Sequence, residues 1–353
     1  MDTRTTVKLV SKIAFTSLVA VSVGCGGASS SRSLFATPTA IQMPDPYTAI
    51  VGVSPGGRLI GSSNHVVSGV EIVKAYYWDS PTSAPVLLTD YSVNTTYPVA
   101  VNDSGEIVGN GFGTTAIVWV SPGSAPIALN PPLGLPKTVA TGINSSGKIV
   151  GYSGNGIDPY AVTVWDGLSS GRTSIADFQW TTATFVMENG TIYGTGNPNL
   201  TGIRPAIWTD QTVRGQFMPD GTGGDSLGQI CAVNPRTGAA LTVGLGGPTI
   251  TGPLMWTYPS LAVTHLPTTY TPTAISDDGM VSYSTFPGAI GSQAMIASSP
   301  TESPVLMTSL IPPGSNWNLE EAKFQLADGS VVGRGTLTNG GISTESWFYA
   351  KRL

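Results

Sequence analysis

The side chains that most often carry chemistry are scarce in this sequence and do not gather. His65 and His265 are the only histidines, and Cys25 and Cys231 the only cysteines. A zinc site takes three or four Cys, His or carboxylate ligands, and no stretch supplies that set, so neither a metal nor a cofactor is expected. The Gly-x-Ser-x-Gly spacing occurs at Ser54, Ser169 and Ser226, all in turn-rich stretches that mark no nucleophile elbow, and a Gly-rich phosphate loop is missing. What remains for proton chemistry is drawn from 21 acids. Asp158, Asp220, Asp225, Glu320 and Glu321 fall in segments read as loops, where two carboxylates could pair for acid–base work on a glycosidic bond. The competing reading is that they are solvated loop charges, the usual fate of carboxylates.

Composition says what kind of scaffold must position such groups. Charged residues make up 10%, while Gly reaches 44 and Pro 27. Surface helices need Glu, Lys and Arg on their wet face, so this balance favours short strands joined by tight turns. The 41% of hydrophobic residues is spread along the chain and supports a large core rather than disorder. The net charge of −5 and the scattered Lys and Arg give no electrostatic footprint for nucleic acid.

A repeat decides the architecture. Val101-Asn102-Asp103-Ser104-Gly105-Glu106-Ile107-Val108-Gly109 returns as Ile143-Asn144-Ser145-Ser146-Gly147-Lys148-Ile149-Val150-Gly151, with weaker copies centred on Gly57, Gly190, Gly238, Gly279 and Gly329. The interval of about 45 residues is that of a four-stranded propeller blade. Each copy reads as strand, polar turn ending in Gly, strand: the Gly meets the positive φ of a hairpin turn, and Asn or Asp oxygens hold the turn. Calcium is the alternative for Asn102-Asp103-Ser104 and Ser276-Asp277-Asp278. It needs six or more oxygens, and copies such as Ser54-Pro55-Gly56 carry no carboxylate.

An aromatic strand ending follows each Gly: Trp78, Trp119, Trp165, Trp208, Trp256 and, in the last copy, Trp347-Phe348, with Met295-Ile296 in the sixth. Rings at one repeated place are expected to wedge between blades. A fourth strand follows each except the last, and Pro38-Thr39-Ala40-Ile41-Gln42-Met43 is an orphan strand before the first copy. The expected fold is therefore all-β, a propeller of seven four-stranded blades closed by the N-terminal strand entering the last blade.

Trp180 and Trp317 lie outside the repeated aromatic place, in predicted blade-to-blade connections. Trp317 is flanked by Asn316 and Asn318. Exposed rings beside amides can stack on sugars or anchor a protein. These four residues, with Tyr160 and Asp225, are the candidate ligand site, on the face bearing the longer and more variable loops. The alternative is that both rings cover core beneath long loops.

At the N-terminus, Arg4, Lys8 and Lys12 precede the apolar run Ile13–Val23, which is too short to span a bilayer and has the layout of a secretion signal. The stretch Val21-Ser22-Val23-Gly24-Cys25 resembles the lipobox of bacterial lipoproteins, which implies lipidation of Cys25. Ordinary cleavage after Ala28 is the competing outcome. The organisation read from the sequence is thus a signal at 1–24, a flexible Ser- and Gly-rich tether at 25–37 starting from Cys25, and one propeller at 38–353. With Cys25 lipidated or removed, Cys231 has no disulfide partner and reads as a small buried hydrophobe.

The pattern Ala-x-x-Ile-Asn-x-x-Gly-x-Ile-Val-Gly, followed by Ala-x-x-Trp, resembles the HAF repeat of bacterial extracellular proteins. That resemblance implies a propeller-like protein outside the cytoplasm and no particular activity. The expected function is a non-catalytic exported binding or scaffold protein of the cell envelope, held by a lipid anchor or secreted, with a glycan or protein ligand on the loop-rich face and no nucleic-acid partner. The alternative is a carbohydrate-active hydrolase or lyase with its acids on that face.

Overall fold

The computed structural model describes residues 33–353 apart from 92–94, 112–114, 156–160, 168–171, 176–178, 198–201, 221–227, 243–251 and 286–290. Seven antiparallel sheets of four strands make the ring expected from the repeat. A short strand, β1 (Thr39–Ala40), comes first. Blade 1 is β2 (Thr48–Val53), β3 (Leu59–Val67), β4 (Val70–Trp78) and β5 (Val86–Leu87), in order from the channel outward. Blade 2 is β6 (Thr96–Val101), β7 (Ile107–Gly111), β8 (Thr115–Trp119) and β9 (Ile127–Ala128). Blade 3 is β10 (Lys137–Ile143), β11 (Lys148–Gly154), β12 (Ala161–Asp166) and β13 (Arg172–Ile175). Blade 4 is β14 (Gln179–Val186), β15 (Ile192–Asn197), β16 (Arg204–Trp208) and β17 (Gln216–Phe217). Blade 5 is β18 (Ile230–Val233), β19 (Ala240–Thr242), β20 (Leu254–Thr257) and β21 (Ala262–His265). Blade 6 is β22 (Thr271–Ile275), β23 (Val281–Ser284), β24 (Ala294–Ala297) and β25 (Val305–Leu306). Blade 7 is β26 (Trp317–Gln325), β27 (Val331–Asn339) and β28 (Ile342–Ala350), completed by β1.

The turn motif folds as its residue types require. In blade 2, Gly105 has φ 86°, a conformation that costs glycine little and other residues more. Its N–H donates to the Asn102 carbonyl and the Asn102 N–H to the Glu106 carbonyl, closing the hairpin. The Asn102 side chain has two tasks. Its Oδ1 accepts the N–H groups of Ser104 and Glu106, while its Nδ2 donates to the Asn144 carbonyl in blade 3 at 2.9 Å. Asn144 repeats this toward Met187 of blade 4, at 3.0 Å. In blades 2, 3 and 5 the amide that shapes the turn also ties it to the next blade.

The repeated tryptophans join blades from the outer side. Trp78, Trp119, Trp208 and Trp256 each stand opposite the first residue of the second strand of their blade, and Trp165 opposite the second, Ile149; all are buried. The indole N–H of Trp119 donates to the Thr89 carbonyl, just past the outer strand of blade 1, at 2.9 Å. Trp165 does the same to Asn130 and Trp256 to Pro219. A buried indole is thus both packed and satisfied. Gly109 leaves space for the ring: a Cβ there would sit 2.9 Å from Trp119 and 2.3 Å from the Tyr97 carbonyl.

Blade 7 departs from this scheme, and one expectation is corrected. The residue at the tryptophan register is Ala350, opposite Val331, rather than Trp347, which pairs with Arg334. Phe348 covers Gly333 instead. In blade 6 the register falls on Ala297, next to the expected Met295-Ile296. Closure follows the orphan-strand reading: Thr39 pairs with Tyr349 and Ala40 with Phe348. The junction extends further toward the N-terminus than the boundary at 38. Phe35 is fully buried among residues of blades 6 and 7, its N–H donates to the Leu310 carbonyl, and the Leu353 N–H donates to the Leu34 carbonyl. The end of the predicted tether is therefore part of the ring, while Cys25 and the expected signal at 1–24 lie outside the described residues.

Candidate functional site

Each of the seven inner strands carries a one-residue bulge at the same place, shown by register breaks at Ile50/Gly52, Pro98/Ala100, Ala140/Gly142, Ala183/Phe185, Ile230/Ala232, Pro272/Ala274 and Ala322/Phe324. A bulge bends a strand and frees one residue from the ladder. At three of these places the freed residue bonds to the next blade. Thr141 Oγ1 donates to the Ala183 carbonyl at 2.9 Å, Thr273 Oγ1 to Ala322, and Cys231 Sγ to Pro272 at 3.6 Å. Cys231 thus occupies a hydroxyl's place. Burial pushes its thiol up to about 12, which keeps it protonated and poorly nucleophilic at neutral pH.

Inside this collar, at the end of the channel bearing the inner hairpin turns, lies a cavity of about 250 Å³. All seven inner strands contribute to its wall. The residue that closes each inner strand forms one ring: Val53, Val101, Ile143, Val186, Val233, Ile275 and, in blade 7, Gln325. Six are β-branched and apolar. The seventh is a carboxamide.

The rim is polar and charged. Six of the turns close in the same number of residues, but the turn of blade 5 is one longer, with the Asn234 N–H bonding to Ala239. The extra length presents Arg236. Its guanidinium reaches Asp277 of blade 6 at 3.1 Å and Asp103 of blade 2 at 3.8 Å. The carboxylates there also hold turns: Asp103 accepts the Gly56 N–H, Glu188 accepts both the N–H and hydroxyl of Ser145, and Asp277 accepts from Asn234. Arg236 is about half exposed, so these contacts are worth at most about 1 kcal/mol and can open. A second, shallower depression on the same face, beside Ser80, Thr82 and Asp328, also touches Arg236.

The sequence-predicted site residues are not assembled in this way. Trp317 is the first residue of β26, 8% exposed, rather than part of an exposed loop. Its indole N–H donates to the Pro38 carbonyl at 2.8 Å and its ring meets Phe348 edge to face. This tryptophan clamps the closing strand, so its ring is not open for stacking on a ligand. Asn316 and Asn318 flank it at the exposed edge, where Asn316 Nδ2 donates to Asn339 and Asn318 Nδ2 to Glu320. Trp180 falls in β14, and its side chain lies outside the described residues, as do Tyr160 and Asp225. Of the acids, Asp158 and Asp225 lie outside them too; Asp220 is buried. Glu320 accepts from Thr336, and Glu321 follows it on β26. On the loop-rich face the described residues include two tall hairpins, β3–β4 and β27–β28, turned by Ser68-Gly69 and Gly340-Gly341 with positive φ. His65 stacks on Tyr47 there, whereas His265 is in the outer strand of blade 5.

Arg236 and Gln325 escaped the sequence reading, though each had a signal. The Asn-to-Gly spacing of the fifth turn exceeds that of its neighbours. Gln325 breaks a Val/Ile position that precedes every turn glycine.

No protein-family model matches the chain, and neither does any curated protein. Solved structures match its fold. A structure of YCF48 bound to D1 peptide superposes with a TM-score of 0.53 at 10% identity, covering 90% of this chain and 96% of that one. YCF48 from Cyanidioschyzon merolae gives 0.52 at 12%, covering 90% and 98%. A puromycin hydrolase gives 0.54 at 13%, covering 84% of this chain but 52% of the hydrolase. At these identities the likeness is one of fold: this chain is a seven-bladed β-propeller.

Proposed function

We propose that the protein is a non-catalytic binding propeller, exported and held at the cell envelope through Cys25, that takes an apolar ligand at the turn-side mouth of its channel. The observation that carries this reading is the mouth itself. Its walls carry valine, isoleucine, alanine and phenylalanine from every blade, which reward burial of apolar surface at about 25 cal/mol per Å², and the rim acids are engaged in turn and blade contacts. Such a site suits holding a ligand more than moving protons. A peptide is favoured over a glycan, since the walls are apolar and Trp317 is withdrawn into the core. The YCF48 propeller bound to a peptide supports the same class of ligand. Arg4, Lys8, Lys12 and the lipobox-like stretch support export and anchoring.

The test is ligand-observed NMR of the full-length protein against a pool of N-acetylated tripeptides, repeated with Ala232→Phe, which fills the cavity from β18. Apolar peptides should bind the wild type and not the filled variant. Binding that survives the filling, or peptides returned as fragments, would refute the reading. For anchoring, Cys25→Ala should move the protein from the membrane fraction to the soluble one.

A further inference from the structure

The ring at the turn-side end of the cavity is uniform except at one place. Six blades close their inner strand with Val53, Val101, Ile143, Val186, Val233 and Ile275, and blade 7 closes with Gln325. All seven line the cavity. The backbone does not require the exception, because Gln325 pairs with Val331 just as Ile275 pairs with Val281 and Ile143 with Ile149. Nor does the protein use the side chain internally: the carboxamide nitrogen and oxygen of Gln325 are both buried without a hydrogen-bond partner. Buried polar atoms in folded proteins are nearly always paired, and leaving them unpaired is unfavourable. A valine at this place would avoid that cost. Both atoms are closed to solvent as well, so the amide finds a partner only by turning into the cavity that the residue lines, where a ligand amide would pair the two atoms that the fold leaves unpaired.

We propose that Gln325 is the specificity-determining contact for a ligand bearing an amide group on a small apolar body, such as one capped apolar residue of a peptide. A primary carboxamide offers donors and an acceptor side by side, which matches the acceptor and donor of a second amide. Cavity size sets the scale: 250 Å³ is the room of about eight waters at ~30 Å³ each. That is enough for one residue and its amide. The β-branched neighbours would hold the apolar side chain, beneath the rim where Arg236 reaches Asp103 and Asp277. This inference rests on the binding reading above and names the chemistry of the same site.

The experiment compares two probes of nearly equal shape that differ only at the amide, N,4-dimethylpentanamide and the corresponding ester, methyl 4-methylpentanoate, on the full-length protein by chemical-shift titration. Wild type should bind the amide at least tenfold more tightly than the ester. Gln325→Val should keep the fold, with an unchanged or raised melting temperature, and bind the two probes equally. Gln325→Asn, which keeps the carboxamide, should retain part of the preference. Equal binding of both probes by wild type, or a preference that survives Gln325→Val, overturns the role of Gln325 while leaving the binding reading standing if Ala232→Phe still abolishes binding. Binding of neither probe, or a structure at saturating amide with only water on Gln325, overturns the inference as well.

Discussion

Blades 3 and 7 have the same four strands, yet they solve the problem of cohesion differently. Blade 3 is continuous in sequence. Its Asn144 reaches forward to blade 4, and its Trp165 reaches back to the carbonyl of Asn130. Blade 7 is built from both chain ends, and the repeated devices are replaced: Ala350 stands at the tryptophan register, Phe348 fills the space over Gly333, and Trp317 clamps Pro38. The turn of blade 7 begins with Leu326, as that of blade 4 begins with Met187, where blades 2, 3 and 5 have Asn. Residues kept from blade to blade therefore report on packing, whereas the departures mark a special task. In blade 7 one such task is closure. The inferred second is recognition, through Gln325.

The sharpest way to break this contrast is at closure. Deleting residues 34–41 leaves three strands in blade 7 and uncovers the edge of β28. We expect loss of most of the ring's stability, which for a domain is typically ~5–15 kcal/mol, read from denaturant midpoints. An unchanged midpoint would mean that blade 7 does not need its fourth strand. Next comes the ordinary latch. Trp119→Ala should cost ~3–5 kcal/mol, since it removes a fully buried ring and leaves the Thr89 carbonyl unmet. Trp317→Phe should be milder, about 1 kcal/mol, because the apolar contact with Phe348 survives and only the bond to Pro38 is lost. Equal costs would show that the indole N–H has no special part in closing the ring.

The smallest effect belongs to Cys231, the thiol where blades 3 and 6 carry Thr141 and Thr273. At pH 7 Cys231→Thr should change stability by less than ~1 kcal/mol, because a donor is retained. The difference should emerge in alkali. Burial raises the folded thiol from 9 to about 12, so its neutral form stabilises the fold fully below the unfolded value. That contribution is lost as pH rises from 9 toward 12. The wild type should thus weaken relative to Cys231→Thr over that window. Parallel stability curves would contradict the assignment of the thiol as a buried donor.

Much of the ring was legible because its devices are local. Asn102 to Gly105 is a turn whose residues dictate their own conformation, and a turn repeated at blade length implies sheets around an axis. Trp317 misled because Pro313-Gly314-Ser315-Asn316 reads as a loop, and nothing nearby in sequence shows that its partner is Pro38, at the other end of the chain. The cavity was harder still. It takes one or a few residues from every blade, none forming a motif, and its polar member is informative only beside Val101, Ile143 and their counterparts. Aligning the residues ahead of the turn glycines would have exposed Gln325. The rest of the described wall depends on bulges, which follow from how neighbouring inner strands meet.

The most direct measurement of the central claim is a methyl NMR titration of the full-length protein, labelled at valine and isoleucine, with N-acetyl-leucinamide. The predicted result is that perturbations concentrate on Val53, Val101, Ile143, Val186, Val233 and Ile275, around the channel mouth. Perturbations confined to Val66, Val67 and Ile342, on the hairpins of the loop-rich face, would contradict it and return the search for a ligand to that side.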